Sequence, residues 1–276
     1  MLVGWNGETL PDLSLEREIE LASAAGYGGI ELFVPKLRPF FERHSVADLA
    51  RMLEAARVQP LSMNGIENIN LRSAEEFEDV KNECRWLAGI SSQIGCKTIV
   101  VVPSPLPAGI SREQVREETI GSLGDLADIA AQEGVGVAFE FLAPATCSVR
   151  TLTEAWDIVQ ATGRANAGLV FDTYHFHVGG SSWEALEAID IDRVFIVHVN
   201  DAEALPLDQL TDAHRLLPGE GFFPLQQMFA ALERRGYHGP YSLEVMRPAY
   251  RQRDPLEYTL AGLRACRAAL EKAGVS

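Results

Sequence analysis

Short apolar, β-rich runs and longer amphipathic stretches alternate from one end of this chain to the other, and that alternation leaves few architectures open. The strand-like runs fall at residues 2–5, 29–33, 60–63, 98–102, 135–141, 168–171, 194–199 and 241–245. Helical periodicity occupies 14–26, 45–57, 74–94, 112–133, 151–162, 182–189, 224–235 and 255–273. Ser73 with Glu76 and Thr151 with Glu154 have the spacing of a capping box, and Ser14 stands ahead of Arg17 and Glu18 as a further N-cap. Gly26, Gly95, Gly134, Gly163 and Gly236 sit where a left-handed residue must turn a helix into the next strand. Eight such units in 276 residues, about 34 residues each, predict an α/β chain folded as a (β/α)8 TIM barrel, with residues 1–276 forming a single domain. A doubly wound sheet is the rival, but the cluster Gly26-Tyr27-Gly28-Gly29 opens a strand instead of following one, which is the wrong context for a dinucleotide turn.

Composition narrows the partners. With 47% hydrophobic residues the chain can bury a large core. A formal charge of −15 argues against a nucleic-acid partner, because binding to a phosphate backbone rests on clustered Lys and Arg. Cys84, Cys96, Cys147 and Cys266 are scattered without a CxxC pair and read as reduced core thiols. No apolar run approaches the roughly 18 residues that span a bilayer, and the N-terminus lacks a basic leader, so a cytoplasmic protein with no membrane partner is expected. Monomer and homodimer both remain open.

Active sites of such barrels assemble at the C-terminal ends of the strands. The apolar runs here end on Asn6, Glu31, Asn64, Pro103, Glu140, Asp172, the segment 198–201 and Glu244. Glu140 within VAFEF, Asp172 ending LVFD, His198 within FIVHV and Glu244 within YSLEV all project from otherwise buried β segments. Burying such charges costs several kcal/mol each unless they are paired or hold a metal. Three carboxylates converging on one mouth repel one another, and one divalent metal ion is the ordinary remedy. The donor set is hard and rich in oxygen, which suits Mn²⁺ foremost and also admits Mg²⁺, Co²⁺ or Zn²⁺.

Beyond Asp172 the chain places His175 and His177 on what reads as a loop over the same mouth, where they can hydrogen-bond substrate oxygens. Asn200 and Asp201 follow the seventh strand and are expected to orient His198. Arg215 opens the glycine-containing loop RLLPGEG and can swing over the metal, and Arg247 lies close behind Glu244. There is no GxSxG elbow, GxxxxGK[ST] loop or HExxH helix.

The segments FEF at 139–141, FDTYHFHVGG at 171–180, IVHVND at 196–201, RLLPGEG at 215–221 and LEVMRPAY at 243–250 resemble the xylose-isomerase-like TIM-barrel superfamily of sugar isomerases and epimerases. Within it, the resemblance is strongest to the branch acting on 2-keto-myo-inositol, and it includes Asn6, the HSVADL segment from His44 and the MNGI segment from Met63. The resemblance implies that Glu140, Asp172, His198 and Glu244 bind the metal and that Glu140 and Glu244 also move the proton of a keto-cyclitol or ketose through a cis-enediolate. His175 and Arg215 would then hold the substrate and share its developing charge, with Asn6, Asn64, His177 and Arg247 as further substrate contacts. Ketose 3-epimerases and keto-inositol or dehydroshikimate dehydratases are similar at the four metal positions. The barrel of the AP endonucleases, metal-dependent phosphodiesterases, is also similar, and Asp212 and His214 match part of its ligand set, but Asn64 and Pro103 stand where it would need further His ligands.

Overall fold

A computed structural model describes residues 1–275. Eight parallel strands close into a barrel: β1 (Val3–Asn6), β2 (Gly29–Phe33), β3 (Gln59–Ile66), β4 (Thr98–Val101), β5 (Gly136–Phe139), β6 (Ala167–Asp172), β7 (Val194–Val199) and, last in sequence, Tyr241–Leu243, which pairs with both β7 and β1. Between β7 and that last strand lies a two-stranded antiparallel ribbon of β8 (Asp201–Ala202) and β9 (Arg215–Leu216), so the closing strand is β10.

The helices are α1 (Leu15–Ala25), α2 (Val34–Phe41), α3 (Val46–Ala56), α4 (Ala74–Ile94), α5 (Arg112–Ala131), α6 (Leu152–Ala161), α7 (Thr173–Val178), α8 (Trp183–Ala188), α9 (Leu225–Arg234) and α10 (Pro255–Lys272). Both expected capping boxes form, Ser14 caps α1, and the five expected glycines all lie at positive φ. The four cysteines are free and buried. No helix of the described residues is long and apolar enough to cross a membrane.

Three expectations are corrected. The third strand runs to Ile66 instead of ending at Met63, because Asn64 pairs with Phe33 on one side and Ile66 with Val101 on the other. No helix is expected between the strand at 29–33 and the helix at 45–57, yet α2 forms there, with Pro35 in its first turn, where a missing N–H removes no helical bond. His175 and His177 are not on a loop: Asp172 at the end of β6 doubles as an N-cap, its Oδ1 accepting from the His175 N–H at 2.7 Å, and starts the short α7 at once.

The barrel interior is built in layers by the period-two alternation of the strands. Val100, Ala138, Val170 and Ile196 form an apolar layer of their own, with Leu61 packed against it. Leu61 fills space left by two glycines: a Cβ on Gly4 or Gly29 would come within 2.3 or 2.6 Å of its side chain. Two residues further along each strand, on the same face, stand Asn6, Glu31, Glu140, Asp172, His198 and Glu244. The polar floor of the mouth is therefore the layer directly above the apolar one.

A second polar cluster lies below the rim. The Lys36 ammonium, almost fully buried on α2, donates to the carbonyls of Gly7 and Leu10, each at 2.8 Å, and to Glu18 Oε1 at 3.0 Å, which also accepts from Trp5 Nε1. Burial pushes Glu18 up to about 7 despite the Lys36 charge, so this pair is held at the edge of neutralisation. Lys36→Met strands the Glu18 carboxyl and should destabilise the protein by about 3–5 kcal/mol in urea unfolding. The double variant Lys36→Met/Glu18→Gln should recover most of that loss. Equal stability of wild type and the single variant would show that the pair carries none of the fold.

Candidate metal centre

Glu140, Asp172, His198 and Glu244 are all buried, and each offers a ligand atom within 4.8 Å of the others. β5, β6, β7 and β10 deliver them from neighbouring positions around the barrel. His198 Nδ1 faces the group: it lies 3.0 Å from Glu140 Oε1, 3.3 Å from Glu244 Oε1 and 4.0 Å from Asp172 Oδ2. Its other nitrogen, Nε2, lies 3.2 Å from Glu31 Oε2. Glu31 is held in turn by the Ser62 hydroxyl at 2.6 Å and by Asn6 Nδ2 at 3.0 Å. A carboxylate behind a ligating imidazole fixes the ring and raises its basicity, so Glu31 does what Asn200 and Asp201 were expected to do.

The electrostatics show what the cluster wants. Burial opposes a charge on His198, yet the carboxylates of Glu244, Glu31 and Glu140 outweigh it and raise the imidazole well above its ordinary value. Burial lifts Glu140 to about 7, with His198 pulling the other way. Burial works against Glu244 as well, but His198 and Arg215 hold it below the usual carboxylate range. A proton on His198 here plays the part of a cation among acids, and a divalent ion at the same point satisfies all four groups at once. The residues fit a metal by charge, burial and donor type.

Arg215 reaches the site from the ribbon. Its guanidinium is fully buried, donating from Nη1 to Glu244 Oε2 at 2.8 Å and to Asp172 Oδ2 at 3.2 Å, and from Nε to Asp212 Oδ1 at 2.9 Å. Asp201 makes this possible by gripping the returning loop: its Oδ2 accepts from the N–H groups of Gly219 and Gly221, both at 3.0 Å, and its Oδ1 from Phe223 at 3.0 Å. Only glycine fits at 221, where a Cβ would fall 2.2 Å from the Ala202 carbonyl oxygen. Asp201 thus positions the loop of Arg215, while Asn200 donates to Asp172 Oδ2 at 2.9 Å; neither touches His198.

A cavity of about 180 Å³ opens above the cluster, lined among others by Glu8, Asn64, Glu140, His175, Arg215 and Glu244. It is smaller than the roughly 300–1,000 Å³ usual for drug-sized ligands and has the scale of a single small ring. His175 Nδ1 accepts from the Ala143 N–H at 3.1 Å, and burial lowers its pKa, so the ring is neutral and carries its proton on Nε2. That nitrogen lies 3.3 Å from Arg215 Nη2. Two donors side by side form a seat for one acceptor oxygen.

The structure brings Asn64 to the cavity wall but places Asn6 beneath it, spent on Glu31, Glu244 and the Glu8 and Asn64 N–H groups. His177 and Arg247 are not brought to the cavity. The His177 ring packs on Phe223 at 4.6 Å, and Arg247 pairs with Glu203 at 2.6 Å. Sequence reasoning left out Glu31, behind His198, and the cavity acids Glu8 and Glu67. Glu31 carried the same signal as the ligands, a carboxylate inside a buried strand; Glu8, in the turn Gly7–Thr9, carried none.

The model of the xylose isomerase-like TIM barrel family matches residues 19–269. An inosose isomerase of Bacillus velezensis is 35% identical over 243 residues, 88% of this chain and 87% of the relative. A 3-dehydroshikimate dehydratase of Pseudomonas aeruginosa is 29% identical over 91% of this chain, which spans 39% of that longer protein. Among solved structures, a crystal structure of the IolI protein with a bound zinc atom superposes with a TM-score of 0.95 at 30% identity, covering 99% of each chain. The chain belongs to the xylose isomerase-like TIM barrel family.

Proposed function

We propose that this protein is an isomerase that interconverts 2-keto-myo-inositol and its 1-keto isomer. The observation that carries the reading is a buried metal-ligand set under a small cavity in which two carboxylates, Glu140 and Glu244, approach from strands three apart around the barrel. The similarity to inosose isomerases over nearly nine-tenths of the chain supplies the substrate class.

Glu140, Asp172, His198 and Glu244 would hold the ion, for which the oxygen-rich donor set favours Mn²⁺. A divalent ion there supplies fixed positive charge that acidifies the C–H between a carbonyl and its neighbouring hydroxyl. The remaining work falls to the chain. Glu140 makes its hydrogen bond through Oε1 to His198 and faces the cavity as one proton acceptor; Glu244, pinned by Asn6 and Arg215, faces it from the other side. His175 Nε2–H and Arg215 Nη2 would hold the oxygen on which negative charge grows. A proton leaving one carbon towards one carboxylate and returning to its neighbour, while the hydroxyl proton of the first carbon passes to the former carbonyl oxygen, moves the carbonyl by one position.

The likeness to a dehydroshikimate dehydratase supports a second reading, in which the same proton abstraction is followed by loss of a β-hydroxyl. One experiment separates them. Metal-loaded protein incubated with 2-keto-myo-inositol in D₂O should take deuterium into the ring carbons flanking the carbonyl, read by NMR, with no growth of enone absorbance. An enone would establish the dehydratase, and no exchange with any keto-cyclitol would remove the isomerase reading.

Chelation should abolish this exchange and lower the melting temperature, and Mn²⁺ should restore both. At a hundredfold excess over its dissociation constant, the ion should add about 3 kcal/mol of stability. Glu140→Gln and Glu244→Gln should each lower kcat by about 10²–10⁴-fold, and exchange at wild-type rate in either variant would exclude that carboxylate from proton transfer.

A further inference from the structure

Glu8 stands on the cavity wall in the short turn that follows β1. Its backbone is held from two sides. The Asn6 side-chain oxygen accepts from its N–H at 2.9 Å, and the buried Lys36 ammonium ties down the carbonyls of Gly7 before it and Leu10 after it. Gly7 is packed so closely that a Cβ there would lie 2.9 Å from both Glu18 and Phe33. Yet the Glu8 carboxyl group itself makes no hydrogen bond or ion pair with any described residue. A carboxyl group carried on a braced turn, facing a cavity and left unpaired, is free to bind what enters.

The rest of the wall says what that ligand is. Glu67 and Asp212 also line the cavity, and the one cationic side chain among the described lining residues, Arg215, is paired through Nη1 and Nε with Asp172, Asp212 and Glu244, leaving Nη2 beside His175 for the reacting oxygen. With the ion and Arg215 Nη2 engaged at the reacting carbonyl and its neighbouring hydroxyl, a carboxylate or phosphate elsewhere on the ring would face this acidic wall without a cationic partner. An uncharged polyol offers hydroxyl protons to the same acids at no such cost.

We propose that Glu8 is a specificity-determining residue that binds the hydroxyl groups of an uncharged cyclitol, and that the wall around it rejects anionic rings. The cyclitol rests on the isomerase reading above, whereas the preference for a neutral ligand rests on the wall. It follows that dehydroshikimate, which bears a carboxylate, is a poor ligand for this chain.

Calorimetric titration of the metal-loaded protein with myo-inositol, and with quinate as a cyclitol that carries a carboxylate, reads this without turnover. Quinate should bind the wild type at least about tenfold more weakly than myo-inositol. Glu8→Ala should weaken myo-inositol about tenfold, the loss of one hydrogen bond, and Glu8→Gln, which keeps an acceptor at the same reach, should weaken it less. Metal content and melting temperature should stay at wild-type values in both. Quinate binding as tightly as myo-inositol, or myo-inositol binding unchanged in both variants, would overturn the proposal. If the preference for myo-inositol holds while deuterium exchange fails, it is the isomerase reading that falls and Glu8 keeps its role.

Discussion

Like charge forced together at the mouth of a barrel is the constraint on which the rest of this structure depends. Glu31, Glu140, Asp172 and Glu244 crowd around the single imidazole of His198, all of them buried. Such an arrangement cannot stand on its own, because several kcal/mol of desolvation attach to each ion. Its neighbours answer that demand one by one. Asn6 gives Nδ2 to both Glu31 and Glu244, Ser62 gives its hydroxyl to Glu31, and Asn200 gives its amide to Asp172. Arg215 brings the one fixed positive charge, to Asp172 and Glu244 together. What these groups leave unsatisfied is a central point of negative potential facing His198 Nδ1, and that residue of charge is what makes the cluster a metal centre.

The route of Arg215 into the site follows from the same crowding. Seven of the eight strand ends around the mouth carry acids, amides or the imidazole and the eighth, at Val102 and Pro103, is apolar, so the cation enters from above. The chain achieves this with a ribbon only two residues deep on each side, Asp201–Ala202 against Arg215–Leu216, braced by the Asp201 carboxylate on three backbone N–H groups. A flexible arm of the same composition would lose its ordering entropy each time it closed. Here the loop is fixed before any ligand arrives, and stacking of the guanidinium on Tyr174, 4.6 Å from the ring centre, holds its plane as well.

The barrel and the polar strand ends gathered at its mouth were legible in the sequence because both rest on period-two patterning. A charged residue two places beyond a buried apolar one must face the same way, so Ala138 announces Glu140, Val170 announces Asp172 and Ile196 announces His198. Glu31 obeyed the same rule after Gly29, but with glycine below it no apolar partner marked the inward face. The parts that escaped depend on contacts between residues far apart in sequence. Asp201 lies three residues after His198 in the chain, yet its partners are some twenty residues on, and proximity in sequence pointed to the wrong one. His177 shares a motif with His175 but falls on the other side of a six-residue helix, against Phe222 and Phe223. α2, the eight-residue helix that carries Lys36, escaped the helical pattern and contains both Pro35 and Pro39.

The hidden pieces form a connected unit. α2 supplies Lys36, Lys36 holds the turn Gly7–Thr9, and that turn presents Glu8 to the cavity, while the strand before it ends on Asn6, whose amide group touches Glu31, Glu244, Asn64 and the Glu8 backbone. Floor and wall are therefore braced through one residue. The floor, made of strand ends, answers the demands of an ion. The wall, made of turns and the α2 brace, is free of that demand, so its charge can be set by the ligand alone. Away from the ion and Arg215 Nη2, a wall of carboxyl groups suits a neutral ring of hydroxyls better than an anion.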